Sequence, residues 1–262
     1  MSKRFKYLIS SLAMMAGFVL LVSLPYESHL YGLLTGIALT VFCFWFGLGI
    51  IFEKDIYTRL MVVILPVGFF VGFGLFISLL PFNLLMMVVS CLIYGIVIYT
   101  LFLVDNVFLV ALNYKTVPLY RSAYTVGLMI LMIVTFLLFD SLYSFRLPYW
   151  INMMGVGVIS WLMMVFHYWS VEIEMVDSKR KNLFIYTVLP AYLVSQLALI
   201  FSFWPVGIFK ASLYLVFVIY LMCGLIQADM RERLFKKTWI KSVWMGIALI
   251  AGIIYMSRWG EF

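Results

Sequence analysis

PVGFFVGFGLFISLLPFNLLMMVVSCLIYGIVIYTLFLVD, residues 66–105, is answered by PAYLVSQLALIFSFWPVGIFKASLYLVFVIYLMCGLIQAD, residues 190–229. Leu65-Pro66, Ser78, Pro81 and Asp105 recur as Leu189-Pro190, Ser202, Pro205 and Asp229, each 124 residues further on. Phe42 and Trp45 meet Phe166 and Trp169 at the same offset, and Leu24-Pro25-Tyr26 meets Leu147-Pro148-Tyr149 one residue earlier. Pro118 alone among the seven prolines has no counterpart. Apolar stretches match by chance, so the weight rests on the rarer Pro, Trp and Asp. They read as one helical bundle written twice.

Hydrophobic residues make up 66% of the chain and charged ones 11%, against roughly 25% charged in soluble domains. Such a chain cannot cover itself with polar surface, so lipid is its expected solvent. Nine apolar runs follow, at about 7–24, 31–52, 60–80, 84–104, 122–139, 149–169, 183–203, 206–226 and 242–256. Most approach the roughly 20 residues that cross a bilayer as a helix. The basic head Lys3-Arg4-Phe5-Lys6 resembles a signal peptide's start, but no small-residue cleavage pattern follows, and the first run reads as a retained span.

With the N-terminus inside, Lys3, Arg4, Lys6, Lys54, Arg59, Lys115, Arg121, Lys179, Arg180, Lys181, Arg231, Arg233, Lys236, Lys237 and Lys241 all fall on the cytoplasmic side. Only Arg146, Lys210 and Arg258 fall outside. That asymmetry fits the positive-inside rule and puts the C-terminus outside. It also accounts for the net charge of +7 without nucleic acid as a partner.

The expected fold is therefore all-α: a polytopic transmembrane bundle of nine spans, with a tandem parallel 4+4 repeat and one C-terminal helix. Residues 1–121 form the first repeat, 122–241 the second, and 242–262 the added helix. Four spans per repeat give both copies one polarity, with a pseudo-twofold axis along the membrane normal.

Candidate site residues follow from the repeat. Pro66 and Pro190 sit inside their helices, where proline removes a backbone hydrogen bond, and are candidate hinges. Asp105 and Asp229 are expected to end their long apolar helices at the cytoplasmic face, where the helix dipole disfavours a negative charge. Each should then have a cationic partner, Arg121 for the first and a member of the 231–241 cluster for the second. The segment from Asp105 is expected to start as a continuation of the fourth helix, through Val107, Phe108, Val110 and Ala111, before Pro118 ends it. His167 stands near the cytoplasmic face and reads as a solvated or interfacial histidine. Trp45 and Trp169 suit an aromatic belt. Gly32-x3-Gly36 and Gly68-x3-Gly72 permit close helix approach. Residues 229–241 read as an interfacial amphipathic helix resting on anionic lipid.

Cys43, Cys91 and Cys223 lie far apart in apolar runs and suggest neither disulfide nor metal site. No phosphate-binding loop, dinucleotide fingerprint, nucleophile elbow or zinc-protease signature is present. No charged residue falls in the middle third of an expected span, against the usual pattern of ion-coupled carriers. No catalytic residue, cofactor or metal is expected. The expectation is a non-enzymatic subunit or scaffold of an envelope assembly in a bacterial inner membrane, with membrane lipids and other membrane proteins as partners. The alternative is a carrier or lipid-handling protein, or a lipid-linked transferase, with its path or site between the repeats.

Overall fold

The computed structural model describes residues 3–50, 55–81, 83–114, 117–174, 183–232 and 235–257. Among them there are nine α-helices, one short 3-10 turn and no strand. The helices are α1 (Lys3–Ser23), α2 (His29–Leu48), α3 (Ile56–Ser78), α4 (Leu84–Asn113), α5 (Tyr120–Ser144), α6 (Tyr149–Glu172), α7 (Leu183–Phe203), α8 (Ile208–Met230) and α9 (Lys236–Met256). The first eight are long and apolar enough to cross a bilayer, with mean hydropathy between 1.5 and 2.6. The apolar part of α9 is shorter, Trp239–Tyr255. Lys54, Lys115, Lys179–Lys181, Arg233 and Arg258, which carry part of the charge count, lie outside the described residues.

Local signals set the helix ends. Asp55 caps α3, its carboxylate accepting from the Tyr57 amide and the Thr58 hydroxyl. Those bonds, led by the one from Thr58, hold it below the usual carboxylate range. Asn83 caps α4 in the same manner through the Leu85 amide. Gly49, at φ 73°, closes α2 in the left-handed conformation that glycine adopts without strain.

By packing, the chain divides into two compact units, residues 1–138 and 139–262, so the division falls within α5. It describes packing rather than descent, and leaves the four-plus-four repeat a matter for proposal.

Unit 1 gathers α1 to α4 around stacked rings. Phe18 lies 4.5 Å from Tyr94, and Phe69 and Phe73 stack beside them. Phe44 meets Phe102 at 4.0 Å and Tyr7 meets Phe102 at 5.4 Å. Glycine admits these rings: a Cβ on Gly36 would lie 2.0 Å from the Phe70 ring, and one on Gly72 would press on Leu137 and Leu138. The glycine motifs of α2 and α3 thus serve packing inside the chain.

Unit 2 is built on the pairing of α6 with α7, with α8 against both and α9 against α8. None of the described side chains of α9 is buried. Its helix begins at Lys236 and runs unbroken to Met256. Residues 236–241 are therefore its first turns, not a separate interfacial helix, because nothing between Lys236 and Ser242 stops the helix.

Candidate functional site

Asp105 departs furthest from expectation. α4 continues past it to Asn113, because Phe108 and Ala111 bury themselves on the face that already carries Leu101 and Phe102. The aspartate is thus well inside the helix and 0% exposed. Neither carboxylate oxygen has a hydrogen-bond partner among the described residues. Helical spacing places Leu101 and Phe108 on its own face. The next residue is satisfied: Asn106 accepts from the Tyr7 hydroxyl at 2.9 Å, tying α4 to α1. Arg121 is exposed at the start of α5 and is not brought to Asp105.

Asp229 has the contrary surroundings. It stands one residue before the end of α8, half-buried, and accepts a hydrogen bond from the Tyr186 hydroxyl of α7. Arg231, just past α8, forms an ion pair with Glu174 beyond α6. His167, expected to be solvated, is instead 1% exposed. Its Nε2 donates to the Cys223 carbonyl of α8 at 3.1 Å, a bond that makes burial of the ring tolerable. Trp169 is likewise buried, packed on Phe166, and is not a belt residue. Together these groups lace α6, α7 and α8 at one end of the unit. Sequence reading missed Tyr186 and Glu174 as partners, because no spacing rule links residues so far apart. It also missed that Asp140 lies within α5, because the apolar run stops at Phe139 while the helix runs on to Ser144.

Pro66 and Pro190 lie inside α3 and α7, both buried. Proline lacks an N–H, so the carbonyls of Val62 and Tyr186, four residues earlier, lose their helical donors. Beside Pro190 a crevice of about 290 Å³ opens between α6 and α7, walled by Gly157, Trp161, Val188, Ala191 and Tyr192. A larger cavity, about 430 Å³, lies in unit 1, among the ends of α1 and α3 and the starts of α2 and α4. No cluster of three His, Cys, Asp or Glu side chains able to hold a metal occurs among the described residues.

Eight helices of this length and apolarity make the chain a multi-pass membrane protein. No family model, curated protein or solved structure matches it.

Proposed function

We propose that this protein is a non-enzymatic subunit or scaffold of a membrane assembly. Its nine spans are arranged as four, four and one, with the N-terminus in the cytoplasm of a bacterial cell and the C-terminus outside. The reading is carried by the laced end of unit 2. There His167, Tyr186, Asp229, Glu174 and Arg231 hold three helices together. Next to them α9 starts with exposed Lys236, Trp239, Ile240 and Lys241. A fixed platform bearing exposed aromatic and cationic groups suits contact with anionic lipid and with a neighbouring membrane protein. Extraction in polymer-bounded native discs followed by native mass spectrometry tests it. A stable complex with at least one other protein is expected. A chain that leaves the membrane alone, with lipid only, overturns the proposal.

One observation favours the alternative, a carrier or lipid-handling protein: the unpartnered carboxylate of Asp105 within a span. Ionisable groups in such places usually line a path, and the candidate hinges Pro66 and Pro190 would let that path open between the repeats. With Cys43, Cys91 and Cys223 replaced by Ala, Asp105→Cys can be treated with a membrane-impermeant maleimide. Labelling from either side supports the carrier; protection from both sides removes it.

A further inference from the structure

The cavity of about 430 Å³ in unit 1 lies within the usual range for small-molecule sites. Two kinds of wall meet in it. Ile77, Leu80, Met86 and Met87 form an apolar side, and the two methionines give it an adaptable shape. Ser23, His29, Ser78 and Asn83 form a polar rim.

The rim's hydrogen bonds define what it can still accept. Ser23 and Ser78 donate their hydroxyl protons to the Leu20 and Gly74 carbonyls, at 3.0 and 2.8 Å. Their oxygens therefore remain as acceptors. Nε2 of His29 donates to the Leu24 carbonyl at 2.8 Å. Asn83 uses its carbonyl oxygen to cap α4 through the Leu85 amide, a bond that leaves its NH2 group to donate. No Lys or Arg lines the cavity among the described residues, so none of them is there to clamp a phosphate. A neutral amide donor on one side and a methionine-walled apolar slot on the other match an ester carbonyl of a lipid with its acyl chain in the slot.

We infer that this cavity is a lipid site, holding a membrane lipid by an ester carbonyl that accepts from the Asn83 amide, with one acyl chain along Ile77, Met86 and Met87. The site is independent of the platform in unit 2, so either proposal can fail without the other.

The test uses the full chain in vesicles of phosphatidylethanolamine and phosphatidylglycerol. These contain a trace of phosphatidylcholine with a diazirine on one acyl chain. After photolysis, peptides are mapped by mass spectrometry, with the exposed α9 residues Ile247, Ile250 and Ile254 as the bulk-lipid reference. Labelling of residues 22–29 and 77–87 should exceed the reference about fivefold, the ratio given by roughly 1 kcal/mol of preference. Met87→Trp, which fills the slot, should bring it down to the reference level, and Ile77→Trp does the same should the first variant not fold. Asn83→Asp keeps the capping oxygen but loses the amide donor, and should lower labelling while α4 stays helical. Labelling spread evenly over all exposed helices overturns the site. So does enrichment that survives both tryptophan variants.

Discussion

In unit 1 the rings of Phe18, Phe69, Phe73 and Tyr94 stack on one another, glycines give them room, and Asp105 is enclosed without a partner among the described residues. In unit 2 the ends of α6, α7 and α8 are held by a histidine–carbonyl bond, a tyrosine–aspartate bond and an ion pair. The two aspartates stand at matching places in the sequence, yet only the second is satisfied. Position offers a reason: the residue 124 before Tyr186 is Val62, fully buried and without a hydroxyl. Similar helices can thus be closed by shape or by polar bonds. A titratable residue kept in the shape-closed half without a partner costs stability, and points to a use beyond packing.

That contrast is open to direct attack, most strongly at the glycines. Gly36→Ala should destabilise the protein by about 3 kcal/mol, since the new Cβ would meet the Phe70 ring. Ser160 holds the matching place in α6, fully buried with its hydroxyl unpartnered among the described residues. Ser160→Ala should change stability by less than about 0.5 kcal/mol or raise it. Unfolding midpoints in mild detergent decide both, and equal losses would erase the distinction between the units. Next comes Asp105→Leu, expected to stabilise by about 2 kcal/mol because it removes an unsatisfied buried group. A loss of stability instead would mean that the carboxyl is bonded in the membrane. Tyr186→Phe should cost about 1 kcal/mol, and the cost should vanish in the Asp229→Asn background if their bond is its source.

The smallest effect concerns the start of α3. Asp55 is held below the ordinary carboxylate range by its cap bonds, led by that from Thr58. Its stabilising contribution is therefore full above the unfolded value near 3.9 and is lost as pH falls through the lower folded value. Asp55→Ala should flatten that acid-side slope, measured as the unfolding midpoint against pH.

Much of this architecture was legible in the residues themselves. Eight of the expected spans appear as helices of suitable length, and Pro66 and Pro190 lie inside helices as their spacing implied. The continuation of α4 past Asp105, through Phe108 and Ala111, was legible as well. The enclosure of Asp105 was not, because it depends on what packs against that face of the helix, which hydropathy does not record. His167 and Tyr186 were illegible for a related reason. The groups that receive their hydrogen bonds, the Cys223 carbonyl and the Asp229 carboxylate, lie far along the chain, and one is a backbone atom with no sequence signature.

α4 has 30 residues, a rod of about 45 Å at 1.5 Å per residue, and it must fit a hydrocarbon layer of roughly 30 Å. Counted from Leu84, that layer is used up near Asp105. The helix must therefore either lean or stand proud of the lipid by roughly its last three turns. In a thicker bilayer those turns are drawn inward and the carboxyl goes deeper. This helix, longer than its neighbours, therefore has the most length left to draw in as a membrane thickens.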